Sequence, residues 1–325
     1  MLQGRAARVL FFDSGMGGLS VFTKTAKLNA NASYYYLFDH EGFPYGNKSE
    51  EYLQHRVKNL LDRACSIIKP DVIVVACNTA STTVLPIIRE AIDTPIVGVV
   101  PAIKPAAKIS KNKSIVLLAT PGTCSRAYTN FLINEFAYDC KVMRIGSEDL
   151  VRLAEDALLS ACQQRMTYEE FCHKACDMVK LKEILEPIWS CHGPKAPDAV
   201  VLGCTHFPLL KEQISTILGP KIHLIDSGEA VARRVKTILE AGYQQTMNAD
   251  LKIDEESVLD HDDLLAAEEI IHVPGLSDAE VFTSGAKVAI YTGTCSQDER
   301  NKMESTFSYF HFRELLSFDE LSKEH

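Results

Sequence analysis

Two cysteines in this chain stand where an apolar, strand-like run gives way to polar residues. Cys77 closes Val72-Ile73-Val74-Val75-Ala76 and opens Asn78-Thr79-Ala80-Ser81. Cys204 ends Val200-Val201-Leu202-Gly203 and is followed by Thr205, His206, Phe207 and Pro208. Asn, Ser and Thr favour helix N-caps, so Cys77 is expected where backbone N–H groups point outward. Positive potential there is expected to lower the thiol pKa from about 8.5 and favour the thiolate. The plain alternative for a lone cysteine is a small buried hydrophobe at a strand end. His206 is placed to donate a proton to Cys204 or to hold it as an ion pair, though Cys–His pairs also arise as core packing or metal ligands.

A nucleophilic thiol enzyme needs one cysteine, a base and an oxyanion site. Here two cysteines occupy matching places and only one has a histidine beside it. Such a pair suits proton transfer at opposite faces of one carbon: one thiolate removes a proton while the other thiol delivers one to the far side. The product is the mirror image, and the reaction is that of a racemase or epimerase without a cofactor. Ionising an ordinary thiol at neutral pH costs only about 2 kcal/mol. Stabilising the carbanion is the harder task, which calls for excluded water and fixed donors on the substrate carboxylate. Backbone N–H groups and the hydroxyls of Ser14, Thr79 and Thr205 fit it. A thiol hydrolase on Cys204 and His206 would leave Cys77 unexplained. A non-catalytic interaction protein would leave Asp13, Cys77, Cys204 and His206 without a purpose.

Asp13-Ser14-Gly15-Met16-Gly17-Gly18 follows another apolar run and leads into a helical pattern. It is not a dinucleotide fingerprint, because Ser20 stands where the third glycine or alanine belongs, and no Walker lysine pattern is present. We read the glycines as letting the backbone approach a small anion at a helix N-terminus, the alternative being a tight turn alone. Phe43-Pro44-Tyr45-Gly46-Asn47-Lys48-Ser49 is a turn-rich loop whose amides and Tyr45 hydroxyl suit either a ligand wall or a surface turn. Cys162, Cys172, His173, Cys176, Cys191 and His192 match no compact metal-ligand spacing, so they read as ordinary residues and no metal is expected.

The elements that must position these residues are legible as short apolar runs alternating with helix-length spacers. Strands are predicted at 8–12, 34–39, 72–76, 96–100, 114–119, 141–145, 199–202, 222–225 and 287–291. Near-continuous apolar runs of this kind mark parallel strands buried on both faces, so the class is α/β with two sheets. Leu150, Leu153, Ala154, Ala157, Leu158 and Ala161 form one helical stripe. Pro101 and Pro105 bracket a predicted hinge. Two echoes suggest two similar units: Phe11-Phe12-Asp13-Ser14-Gly15 with Leu224-Ile225-Asp226-Ser227-Gly228, and Val74 to Thr79 with Val201 to His206. Each unit would present one thiol at the carboxyl end of a strand, where open parallel sheets bind ligands.

The chain has 325 residues, which predicts two domains. Its net charge of −9 argues against a nucleic-acid-coating surface. Nine acids and one base between Asp250 and Glu269 carry most of that excess, as a solvated linker or surface helix or else an insert that meets a basic partner. No run reaches the roughly 18 apolar residues of a membrane helix, and the N-terminal run Val9 to Phe12 is too short for a secretory signal, so the expected address is the cytoplasm. Ten cysteines are too sparse for a disulfide scaffold.

In combination these motifs resemble the bacterial glutamate racemases of the aspartate/glutamate racemase superfamily. The matching segments are Phe12 to Val21, Phe43-Pro44-Tyr45-Gly46, Ala76 to Ser81, Val99-Val100-Pro101-Ala102, Leu202 to Leu209 and Asp226-Ser227-Gly228. The resemblance implies two similar α/β domains with mainly parallel sheets, related by a pseudo-twofold, with the active site in the cleft between them. The first would span 1–101 plus 226–325 with an acidic insert at 248–283, and the second 102–225. It implies that Cys77 takes the proton from D-glutamate and Cys204 from L-glutamate, that Asp13 and His206 assist them, and that Glu155 acts near the histidine. Ser14, Pro44, Tyr45, Gly46, Asn78, Thr79 and Thr205 match the substrate-binding positions, together with Asp13, Cys77 and His206. As partners it implies L- and D-glutamate, and it admits a UDP-N-acetylmuramoyl-alanine activator and a homodimer. The implied role is D-glutamate supply for peptidoglycan; an aspartate racemase on the same scaffold is the alternative.

Overall fold

The computed structural model describes residues 5–167, 170–171, 176–245 and 285–323. The acidic stretch, Cys172 and His173 lie outside them. Ten strands form two sheets in which every neighbouring pair is parallel. The first sheet contains β1 (Arg8–Asp13), β2 (Ser33–Phe38), β3 (Val72–Val75), β4 (Ile96–Gly98), β9 (Lys287–Tyr291) and β10 (Glu314–Ser317), in the order β10-β9-β2-β1-β3-β4. The second contains β5 (Ser114–Ala119), β6 (Lys141–Gly146), β7 (Ala199–Gly203) and β8 (His223–Ile225), in the order β6-β5-β7-β8. Each sheet thus has its second strand, then its first, third and fourth, side by side. The α/β class and the two mainly parallel sheets match the expectation.

All nine predicted strands are present. The unpredicted one, β10, is a four-residue edge strand whose apolar run is only Leu315-Leu316, with Leu315 alone well buried. The shared strand order makes Cys77, after β3, and Cys204, after β7, true counterparts. The other echo is not one of position. Asp13 follows the first strand of its sheet whereas Asp226 follows the fourth strand of the other. By register the counterpart of Asp13 is Ala119, the last residue of β5, and Thr120 beside Cys204 answers Ser14 beside Cys77.

Helices cover the sheets and carry the site residues inward. They include α1 (Leu19–Leu28), α2 (Glu50–Ile68), α3 (Asn78–Ala91), α4 (Ile103–Ile109), α5 (Pro121–Ser125), α6 (Ala127–Phe136) and α7 (Glu148–Gln163). Ser147 caps α7 by accepting from the Leu150 amide, and the predicted stripe is buried apart from half-buried Leu153. Beside β1 and β2 an aromatic cluster of Phe11, Phe22, Tyr36, Phe307 and Phe312 fills the core. Each such ring contributes roughly 1.5–3 kcal/mol by leaving water.

The Ser20 hydroxyl donates to the Thr205 carbonyl at 2.8 Å, and Ser227 donates to the Val100 carbonyl. Lys24 on α1 meets Asp226 at 2.9 Å with both side chains under a tenth exposed. Burial alone would raise the Asp226 pKa, but Lys24 and then Lys211 outweigh it and hold it at about 2. Removing one partner of such a buried pair costs about 3–5 kcal/mol. Among the described residues no helix is long and apolar enough to cross a membrane.

Candidate active site

Both thiols line one tight cavity of about 20 Å³. Ser14, Pro44, Tyr45, Gly46, Asn78 and Thr79 line it from the first sheet's side, and Thr205 and His206 from the second's. Cys77 and Cys204 are 5% and 6% exposed, so both thiols are almost closed off from bulk solvent. Asp13 and Glu155 do not reach the wall; both stand behind it.

Asp13 ends β1 fully buried. Its Oδ1 accepts from the Ser14 amide at 2.7 Å, and its Oδ2 from the Gly18 amide at 2.6 Å and the Tyr36 hydroxyl at 3.2 Å. Burial pushes its pKa up to about 6 against the pull of His206 and the two amides. This corresponds to roughly 3 kcal/mol against the ionised form. The small anion expected at the start of α1 is therefore the protein's own Asp13 carboxylate. The glycines admit side chains rather than a ligand. A Cβ on Gly17 would lie 2.3 Å from His206 Nδ1, and one on Gly18 2.6 Å from the Tyr36 hydroxyl.

Cys77 is the N-cap of α3, as expected, and the Ser14 hydroxyl lies 3.6 Å from its sulfur. Its pKa is nevertheless pushed up, not down. Burial and then the Asp13 charge outweigh the helical amide of Ala80 and the Ser14 contact. The local motif supplied the positive potential, but only the packed structure set the larger desolvation cost. In this buried state Cys77 holds its proton and is suited to act as the acid.

Cys204 has a different neighbour. Its sulfur lies 3.7 Å from His206 Nδ1, while His206 Nε2 meets Glu155 Oε2 at 2.6 Å. The other Glu155 oxygen accepts from the Met16 amide at 3.2 Å, so this carboxylate bridges α7, the loop before α1 and the histidine. Burial would discharge His206, but Glu155, with Cys204 adding to it, outweighs burial and holds the imidazole pKa well above its ordinary value. The result is an imidazolium set between a carboxylate and a sulfur.

Within the loop Phe43–Ser49, Tyr45 and Gly46 are buried and line the cavity while Asn47 and Ser49 are exposed, and the Tyr45 hydroxyl is directed to Asp39. It donates to Asp39 Oδ2 at 2.6 Å. Sequence reasoning named neither Thr120, Glu148 and Val151 nor Phe43 as site residues, yet all four line the cavity. Thr120 carried a usable signal, since it stands at a strand's carboxyl end like Asp13 and both thiols. Its hydroxyl joins those of Thr79 at 2.9 Å and Thr123 at 3.0 Å. Glu148 and Val151 enter from the first turn of α7, where no local pattern marks them. Asn78 presents a buried side-chain oxygen that has no hydrogen-bond partner among the described residues.

The thiols outside the cleft are placed elsewhere. Cys162 is buried on α7, and Cys191 donates to the Pro187 carbonyl at 3.2 Å. Among the described residues no three His, Cys, Asp or Glu side chains converge as a metal site.

Known proteins resemble this chain in sequence and in fold. The family model for Asp/Glu/Hydantoin racemases matches residues 18–235. A glutamate racemase of Shewanella frigidimarina is 49% identical over 231 residues, covering 71% of this chain and 83% of the relative. One from Aliivibrio fischeri is 48% identical, covering 71% and 80%. Escherichia coli glutamate racemase, solved in complex with L-glutamate and the activator UDP-MurNAc-ala, superposes with a TM-score of 0.74 at 35% identity over 96% of this chain and 98% of that one. With two counterpart thiols on one cavity and the family model matching most of its length, the chain belongs to the Asp/Glu/hydantoin racemase family.

Proposed function

We propose that this protein interconverts L- and D-glutamate without an organic cofactor, supplying D-glutamate for peptidoglycan in the cytoplasm. The carrying observation is the placement of two buried thiols, from counterpart strand ends, on one cavity. Cys204, 3.7 Å from His206 Nδ1, is the base that takes the Cα proton of L-glutamate. The carbanion takes the proton of Cys77 on its other face, and the two sulfurs exchange protonation states. D-glutamate reverses the sequence. Asn78 offers its unpaired oxygen to the substrate ammonium. The Ser14, Thr79 and Thr205 hydroxyls and nearby amides serve the carboxylates as charge develops. Asp13 and Glu155 act through the residues they hold. The two sheets support a division into 1–101 plus 226–325 and 102–225, with the cleft between.

In D2O, without added pyridoxal phosphate, L-glutamate is expected to yield D-glutamate with deuterium at Cα. Mass spectrometry after chiral separation reads it, with aspartate as a parallel substrate. Label appearing only in aspartate would move the substrate assignment, and no label in either acid would remove the racemase reading.

The activator bound by the Escherichia coli protein suggests a second ligand here. A cavity between the lobes at the Pro101 hinge is lined by Arg89, Lys104 and Arg234, cations suited to a nucleotide diphosphate. UDP-MurNAc-Ala is expected to raise kcat at least severalfold, and Arg234→Ala to shift the concentration needed by tenfold or more. An unchanged activation curve in the variant would exclude this cavity.

A further inference from the structure

We infer that Asp39, held by Arg56 and Thr292, is the positioning residue for the wall that closes the thiol cavity, resting on the glutamate-site reading above. Asp39 lies immediately after β2, fully buried, and its amide donates to the Asp13 carbonyl at 2.9 Å. Its carboxylate gathers five donors from three parts of the chain. Gly42 donates its amide at 3.3 Å from the turn leading into the wall loop, and Tyr45 its hydroxyl at 2.6 Å from within it. Arg56 of α2 donates two N–H groups at 2.5 and 2.7 Å, a forked geometry that fixes the carboxylate's plane. Thr292, just past β9, donates its hydroxyl to Oδ1 and accepts from the Glu41 amide at 3.3 Å.

The wall loop and the turn leading into it are therefore pinned at Glu41, Gly42 and Tyr45 by groups that never meet the substrate. Arg56 and Thr292 line a separate cavity on the outer side of this clamp. Tyr45 and Gly46 line the thiol cavity on the inner side. A carboxylate satisfied on all sides holds its partners to one geometry, and a misplaced wall weakens a bound ligand without removing a reacting group. Loosening it should raise KM and leave the chemical step nearly intact, the signature of lost uniform binding.

The test compares Thr292→Val, Thr292→Ser and Asp39→Asn in the full chain. Thr292→Val keeps the side-chain shape and removes only the hydroxyl, so it is expected to fold. We expect its KM for glutamate to rise about fivefold with kcat within twofold, and Thr292→Ser to stay within twofold of the parent in both. Asp39→Asn, which strips Arg56 of its counter-charge, should raise KM more than tenfold. Iodoacetamide alkylation of Cys77 and Cys204, read by peptide mass spectrometry without substrate, should quicken severalfold in Thr292→Val and Asp39→Asn but not in Thr292→Ser. This second readout separates the clamp from the substrate assignment. If the parent fails to turn over glutamate yet alkylation follows the pattern, the clamp stands and the substrate reading falls. Folded variants with parental KM and alkylation rates, or a serine variant as impaired as valine, would overturn the clamp.

Discussion

Replacing either Cys77 or Cys204 with serine is expected to lower net racemisation by about 10²–10⁴-fold, the contribution of a positioned acid or base. A hydroxyl holds its proton too tightly to act as the base, and Cys77 already sits where burial and Asp13 oppose ionisation. The two variants should fail differently. Cys204→Ser leaves Cys77 able to remove and return the proton of D-glutamate from one face, so deuterium enters D-glutamate without inversion. Cys77→Ser leaves the converse exchange on L-glutamate. NMR of the Cα signal in D2O reads both. Substantial net inversion by either variant, with the fold intact by circular dichroism, would falsify the two-thiol mechanism.

Glu155→Gln carries the second large effect, and its sign with pH can be worked out. Burial disfavours the charged imidazole of His206, and the Glu155 carboxylate reverses that balance. The folded pKa lies above the reference near 6.5, so this coupling stabilises the fold fully below that value and is lost as pH rises through the folded one. With glutamine in place, burial is left opposed mainly by Cys204, and the imidazole should discharge at much lower pH. The kcat/KM deficit of the variant is therefore expected to widen from pH 6 to pH 8, reaching at least about a hundredfold at the upper end. A deficit constant across that interval, or a His206 NMR titration unchanged from the parent, would show that Glu155 does not govern the imidazole charge.

The thiols were legible because each terminates a two-sided apolar strand, a pattern written in consecutive residues. Nine strands were legible from apolar runs in the sequence, whereas β10 was not, since its run is only Leu315-Leu316 between polar residues. Glu155 lies within a stripe otherwise read as apolar packing, and only the family resemblance singled it out. Its partners Met16 and His206 are 139 and 51 residues away in the chain, beyond any local pattern. Tyr45 was legible as part of a wall, but not that its hydroxyl turns away to Asp39.

By itself the sequence determined the α/β class, the places of both cysteines at strand ends, and the capping position of Cys77, because these depend on residues adjacent in the chain. The tertiary structure alone decided how strongly each group holds its proton, which hydroxyls face the cavity, and that Thr120, Glu148 and Val151 join its wall. Those properties depend on how much water a packed environment removes and on charges brought from distant segments. Asp13 shows the difference plainly: its place at the end of β1 was readable, while its pKa of about 6 exists only once the lobe has closed around it.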